Sequence, residues 1–316
     1  MEFGYNINSF FCKKMPIYYS NYKNKVKMVL DRIRKSDNMI IMDGKKLKKE
    51  KLDILKEKLK KLDEKLGLRV IQVGEDPAST KYVGQKEKMA TNLGYDFEHI
   101  KKEETITEEE LLEIIDELNE QENINGILVQ MPLPKHINAS KVQNRISPLK
   151  DVDGLTDINS GLLTHNKDCL VPCTPMGIIS LLTEYNIDLE GKTAVVIGRS
   201  DLVGKPMSSL LLNNNATVIT CHSKTKNLKN YTTQADILIV AAGKPKFITE
   251  DMVKDGAVVI DVGIHVIDGN MCGDVDFENV APKCSYITPV PGGVGQMTVA
   301  ELGENVYKAY QLQKNK

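Results

Sequence analysis

The sequence predicts an α/β fold in two domains, each layering helices on a parallel sheet, with a cleft between them. Three observations lead there. Short β-branched and apolar runs alternate with helical segments, first around LRVIQVG (68–74) and GILVQMPL (126–133), then again from TAVVIG (193–198) onward. A loop (SPLKDVDGLTDINSG, 147–161) and a proline-containing stretch (LVPCTPMG, 170–177) separate the two series. A chain of 316 residues can also bury two cores, since domains typically hold ~100–200 residues.

Residues 1–38 stand apart from this pattern. Asn, Tyr, Phe and Lys mix there without a period, and basic residues outnumber acidic ones. The stretch suits a transit peptide, an unstructured extension or an over-long start, and it is left out of the core. The first domain is expected over 39–159. Leu47, Leu52, Leu55, Leu59, Leu62 and Leu66 recur at helical spacing among lysines and acids, predicting an amphipathic helix. LRVIQVG follows as a strand, then an Asp76-Pro77 turn with Ser79 as its cap and a helix running to Gly94. Tyr95 to Lys101 is a second strand, and Thr107 with Glu110 forms a capping box opening the next helix. GILVQMPL is a buried strand stopped by Pro132 and Pro134.

The second domain is expected over 160–296. TAVVIG, ATVITC (216–221), DILIVAAG (236–243) and AVVIDVG (257–263) are its four apolar strands. SYITPVPGGVGQMT (285–298) adds a strand and a glycine loop, and a last helix over 297–316 is expected to pack back onto the first domain.

Composition excludes several classes. Charged residues make up 27%, hydrophobic ones 41%, and the formal net charge is -1. Such a chain offers no single-sign field to nucleic acid, and no apolar run approaches the ~18 residues of a membrane helix. Six cysteines form no CxxC pair, and five histidines lack zinc spacing. This predicts no metal and a reducing, cytoplasmic compartment.

Two stretches carry chemistry. In VGEDPASTKYVGQKEKM (73–89), Tyr82 and Lys86 stand one helical turn apart, so a phenol and an amine share a face beyond a strand end. Gln130 closes the GILVQ strand and Asp153 lies in the KDVDG loop. A Lys86 amine buried beside an amide has a lowered pKa and can act as a base near neutral pH. Tyr-x-x-x-Lys also marks short-chain dehydrogenases, but there the glycine loop precedes the pair, and here it follows.

The second stretch is IGRSDLVGKP (197–206). Gly198 ends a strand, Ser200 replaces the usual middle glycine, and Gly204 lies where a helix begins, the arrangement that points backbone N–H groups at a phosphate. A Rossmann-like dinucleotide domain is the expectation. No acid follows ATVITC to hold a ribose; His222, Ser223 and Lys224 do, and Arg199 adds a positive charge, which favours the 2′-phosphate of NADP. GKT (191–193) resembles the end of a Walker A loop, but Asn186 occupies the first glycine position and a strand follows, so ATP hydrolysis is excluded.

The motifs DPASTKYVGQK, GILVQMPLP, KDVDG, PCTPMG, GRSDLVGKP, TVITCHSKT, GDVDF and PVPGGVGQMTV occur in one order from Met39 to the C-terminus. Together they resemble the bifunctional methylenetetrahydrofolate dehydrogenase/methenyltetrahydrofolate cyclohydrolase family. The resemblance implies a folate-binding catalytic domain followed by an NADP-binding domain, a homodimer, and two reactions in one cleft: oxidation of 5,10-methylenetetrahydrofolate, then hydrolysis of the methenyl product to 10-formyltetrahydrofolate. The alternative is a dehydrogenase that has lost the hydrolytic step; a silent nucleotide-binding scaffold is disfavoured because Tyr82, Lys86, Gln130 and Asp153 are all present.

By the same resemblance Lys86 is the general catalyst, Tyr82 orients the folate, Ser79 supports that loop, Gln130 bonds Lys86 and Asp153 holds the pterin. Gly198, Arg199, Ser200, Gly204, Ser223 and Ile264 take the cofactor, and the loop with Pro291, Gly292 and Gly293 lines the cleft. The chain departs from the family at Gln296, where Pro is usual after PGGVG. It departs again at His265 and Val266, where DVGINR is usual, which bears on cofactor affinity and preference.

Overall fold

The computed structural model describes residues 39–315, so the reading of residues 1–38 lies outside the described residues. The chain enters through β1 (Ile40–Ile41) and turns into α1 (Gly44–Leu59), capped by the Asp43 carboxylate, which accepts from Lys46 N at 3.0 Å. β2 (Gly67–Val73), β3 (Asp96–Lys102) and β4 (Ile124–Val129) form a three-stranded parallel sheet in the order β3-β2-β4. β2 and β4 are buried at every position, the polar Arg69, Gln72 and Asn125 included, which is why neither strand shows a clean inward–outward alternation.

Between these strands run α2 (Pro77–Leu93) and α3 (Glu108–Glu120). The predicted capping box is present: Glu110 N bonds Thr107 Oγ1, and the Glu110 carboxylate accepts from Thr107 N. The cap of α2 is a correction. Asp76, not Ser79, is the N-cap, and its carboxylate accepts from Ser79 N at 2.7 Å. Pro at the first helical position pushes the cap one residue before it.

A short helix, α4 (Ala139–Arg145), stands where no element is expected, and a second, α5 (Asp157–Thr164), begins inside the loop read over 147–161. α6 (Cys173–Glu184) then opens within the proline-containing stretch LVPCTPMG. The second sheet follows with β5 (Thr193–Ile197), α7 (Gly204–Asn213), β6 (Thr217–Cys221), α8 (Leu228–Thr232), β7 (Ile237–Val240) and β8 (Val258–Asp261). A hairpin of β9 (His265–Ile267) and β10 (Asn270–Cys272), then α9 (Phe277–Val280), lead to β11 (Tyr286–Ile287) and α10 (Val294–Lys314).

The sheet order is β1-β11-β8-β7-β5-β6, all parallel. From β6 to β11 this is the 2-1-3-4-5 doubly wound order, whose reversal lies between β5 and β7. β1 adds an edge strand from the front of the chain. α10 begins at Val294, earlier than the sequence predicts, because the glycine turn closes at Gly293 and Val294 is already buried. It packs on α6, α1, α2 and β4. A Cβ at Gly177 would lie 2.6 Å from Met297 Cβ, so α6 and α10 meet nearly backbone to backbone.

Inside these layers sit charges that the sequence pattern leaves invisible. Glu301 on α10 is buried, and its Oε1 accepts from Lys51 Nζ of α1 at 2.6 Å and Ser180 Oγ of α6 at 2.8 Å. Lys150 is buried too, and its ammonium donates to the carbonyls of Leu118 (3.1 Å), Asn119 (2.6 Å) and Gln121 (2.7 Å) at the end of α3. A cation there caps free carbonyls and opposes the helix dipole. Lys150→Met removes those bonds and is expected to cost ~1.5–3 kcal/mol, the range for hydrogen bonds to a charged group. A urea melt checks it; an unchanged midpoint would show that water serves these carbonyls equally well.

Candidate active site

Lys86 reaches the carboxyl edge of the first sheet from α2, where its Nζ donates to Gln130 Oε1 at 2.9 Å. Gln130 follows directly on β4, and its amide nitrogen donates to Met131 O at 2.8 Å, which fixes which end faces the amine. Burial lowers the Lys86 pKa, while the charge of Asp153 acts in the raising direction. The structure thus brings Lys86, Gln130 and Asp153 together as expected, with the Cys173 thiol beside them. Burial pushes that thiol well up, so it stays protonated.

Tyr82 lies on α2 one turn before Lys86 and is 44% exposed, open to a ligand. Ser79 is buried and its hydroxyl donates to Met131 O at 3.2 Å, tying the start of α2 to the loop after β4. Gln72 at the end of β2 adds a second tie. Its amide donates to Gly74 O and Thr80 Oγ1, both at 3.1 Å, and its oxygen accepts from His99 Nε2. No motif announces this brace, because its members are scattered and individually ordinary.

Asp153 stands half-buried in a tightly held loop. Asp151, fully buried, accepts from Thr156 N (2.8 Å), Asn159 Nδ2 (2.9 Å) and Gln143 Nε2 (3.1 Å). Asn305 of α10 donates to Val152 O and Val171 O, each at 2.8 Å. Gly154 has φ +68, and a Cβ there would lie 2.5 Å from Val171 C, so only glycine fits. The first acid of KDVDG therefore shapes the loop, and the second stays half-buried near Lys86.

At the carboxyl end of β5, Gly198 has φ +133 and packs against Ala241, whose O would lie 2.5 Å from an added Cβ. A Cβ at Gly204 would collide with Gly198 O, so the turn folds tightly back on the helix start. α7 has no side-chain cap, and Arg199 and Ser200 are exposed beside it. Ser200 O accepts from Lys205 N at 3.1 Å and Pro206 has no N–H, so the exposed guanidinium and hydroxyl, more than the helix start, suit a phosphate. Ser223 is exposed on the loop after β6. Ile264 is 42% exposed, and its Cδ1 would lie 3.1 Å from a Cβ on Gly295. Pro291 is exposed, Gly292 half-buried with φ +115, and Gly293 buried, with Gly44 of α1 pressed onto its carbonyl. At the departure from the expected pattern, His265 bonds Asp274 at 2.7 Å and Val266 faces outward. A separate cavity of about 280 Å³ opens at the amino ends of β5, β7 and β8, lined by Lys192, Asp236, Lys254 and Ser285 among others, and none of these groups borders it.

The catalytic-domain model of the tetrahydrofolate dehydrogenase/cyclohydrolases matches residues 42–153, and their NAD(P)-binding-domain model matches residues 172–314. The bifunctional protein FolD of Francisella philomiragia is 54% identical over 278 residues, covering 86% of this chain and 99% of that one. Among solved structures, the bifunctional FolD dehydrogenase/cyclohydrolase of Campylobacter jejuni superposes with a TM-score of 0.85 at 48% identity, covering 87% of this chain and 99% of the other. The Trypanosoma brucei methylenetetrahydrofolate dehydrogenase-cyclohydrolase, solved with NADP and an inhibitor, gives 0.84 at 32% identity, covering 88% and 99%. A buried amine on one sheet edge, a tight glycine turn on the other and these matches over both halves lead to one statement: the chain belongs to the tetrahydrofolate dehydrogenase/cyclohydrolase family.

Proposed function

We propose that this chain oxidises 5,10-methylenetetrahydrofolate with NADP+ and hydrolyses the resulting methenyl cation to 10-formyltetrahydrofolate in the same cleft. The observation that carries this reading is the Lys86 amine, desolvated and held by Gln130. NADP+, when bound, supplies the hydride acceptor, and the relative from Trypanosoma brucei was solved with that cofactor. Gly198, Arg199, Ser200 and Gly204 are the residues to hold its phosphates, with Ser223 on the adenosine side and Ile264 near the far end. Asp153 accepts from the amino-pyrimidine edge of the pterin, and Tyr82 covers the folate. In the second step water adds to the methenyl carbon while Lys86 Nζ takes its proton. The N5–C bond then breaks as the added hydroxyl becomes the formyl C=O and its proton passes to N5, which leaves the formyl group on N10 and one net proton, the one taken by Lys86, to be released.

The neutral amine is the working form, so the sign of the pH dependence follows. Burial favours uncharged Lys86, and hydrolysis rises with pH through a pKa below the ordinary 10.5. The test supplies methylenetetrahydrofolate with NADP+ or NAD+ across pH and follows methenyl absorbance. NADP-dependent appearance and accelerated decay are expected, faster at higher pH. Accumulation without accelerated decay would leave a dehydrogenase alone, and faster turnover with NAD+ would remove the 2′-phosphate role of Arg199 and Ser223.

The same reading includes a homodimer in the cytoplasm. β6 is an edge strand, and Leu202 before α7 and Leu212 within it are 51% and 63% exposed, which supports pairing with a second copy. Among the described residues Cys169, Cys173, Cys221, Cys272 and Cys284 are free thiols, in keeping with a reducing compartment, and no helix is long and apolar enough to cross a membrane. Light scattering is expected to give twice the chain mass; a monomer at micromolar concentration would count against the dimer.

A further inference from the structure

Three loops line the carboxyl edge of the second sheet: the phosphate turn after β5 and residues 242–244 after β7, on the two sides of the reversal, and residues 262–264 after β8. One buried carboxylate joins the last two. Asp274 is 0% exposed. Its Oδ2 accepts from Ala242 N at 2.6 Å and Gly243 N at 2.9 Å, and its Oδ1 from Lys244 N at 2.9 Å and His265 Nε2 at 2.7 Å. A carboxylate has about four lone-pair directions, so the set is complete. Three donors come from consecutive residues of one loop. The fourth, the imidazole N–H, ties that loop to the start of β9.

Asp261 braces the knot from behind. Its Oδ1 accepts from Gly263 N at 3.0 Å and Asp274 N at 2.9 Å, and its Oδ2 from Val275 N at 2.9 Å. A Cβ at Gly263 would strike the Asp274 carboxylate, so the two loops are locked in contact. The front of the knot faces the crevice. Ile264, next to His265, reaches toward Gly295 at the start of α10, and the Ala241 carbonyl presses on Gly198. Since the phosphate turn follows β5 and the adenosine side lies beyond β6, the ends of β7 and β8 take the other half of a dinucleotide.

We infer that His265 is a positioning residue for the nicotinamide half of the cofactor. Through Asp274 it sets residues 242–244 and Ile264 against that half, and so governs affinity for the cofactor and not for the folate. This rests on the proposed NADP-dependent reaction. His265 touches no reacting atom; losing its bond leaves one Asp274 oxygen short of a donor and frees the base of the hairpin from the loop.

The experiment compares wild type, His265→Ala, His265→Gln and Val266→Ala as full chains. NADPH binding is measured by calorimetry, alongside KM and kcat for both substrates. His265→Ala is expected to weaken NADPH binding and raise the KM for NADP+ about ten-fold, the scale of one charge-assisted hydrogen bond, with the folate KM unchanged. His265→Gln, which restores an N–H at similar reach, should recover most of the loss. Val266→Ala, at a position 68% exposed on the same hairpin, should change neither constant. Equal NADPH affinities for wild type and His265→Ala would overturn the inference, as would a folate KM that moves with the cofactor KM, or a His265→Gln no better than alanine. A wild-type chain that binds NADPH but turns over no methylenetetrahydrofolate would count against the functional reading alone.

Discussion

Lys86→Met is expected to lower methenyl hydrolysis by about 10²–10⁴-fold, the usual contribution of a positioned acid or base. Methionine keeps much of the stem's length and apolar volume, so α2 should stay packed while the proton acceptor is lost. Gln130 Oε1, which now accepts from the amine at 2.9 Å, is half-buried and can turn to water, so the change should not unfold the protein. NADPH binding should persist, because the turn at Gly198 and Gly204 belongs to the other sheet. Single-turnover decay of methenyltetrahydrofolate, with calorimetric NADPH binding beside it, reads both halves. An unchanged decay rate would take Lys86 out of the hydrolytic step.

The largest stability effect is expected at Glu301. Removing one member of a buried ion pair leaves its partner uncompensated and typically costs ~3–5 kcal/mol. Glu301→Ala strands the Lys51 ammonium with only Ser180 Oγ, at 2.9 Å, and opens a gap where α1, α6 and α10 meet. Lys51 is 22% exposed along its side chain, which places the loss toward the lower end of that range. Pairing Glu301→Leu with Lys51→Met should recover much of it, since apolar groups of similar volume often replace such pairs without penalty. Chemical denaturation measures both. A loss under ~1 kcal/mol would mean that apolar contacts alone, such as that between Gly177 and Met297, hold the three helices.

Much of the architecture could be read from local pattern. β2, β4, β5, β7 and β8 are short, mainly apolar runs because nearly every position is buried, and a buried parallel strand leaves that signature in any chain. The Thr107 box and the Gly198 turn were legible for a similar reason: each is settled within a few residues. What escaped depends on distant partners or on very short elements. β1 spans only Ile40 and Ile41 and becomes a strand by pairing with Tyr286 and Ile287. α4 and α5 are short and largely polar, so no apolar stripe announces them.

The site shows the same division. Tyr82 and Lys86 share a helix face by spacing alone, whereas the contact of Lys86 with Gln130 needs the fold. Cys173 looked like part of an extended segment, and only the packing of α6 brings it beside the amine. Asp151 and Asp153 are indistinguishable in the sequence. Burial separates them into a loop anchor and a half-buried acid.

The two ends of the described chain trade places. The opening strand lies along the rear sheet beside β11, while the closing helix rests on the front layers against α1 and α2. Each lobe is thereby finished by a piece borrowed from the far terminus, like a book stitched at both covers. No single cut in the backbone can release two self-sufficient halves: a fragment ending before α10 bares the apolar flank of α1, and one starting after β1 leaves Tyr286 and Ile287 at a raw margin. Any opening and shutting of the crevice must bend about these two seams together.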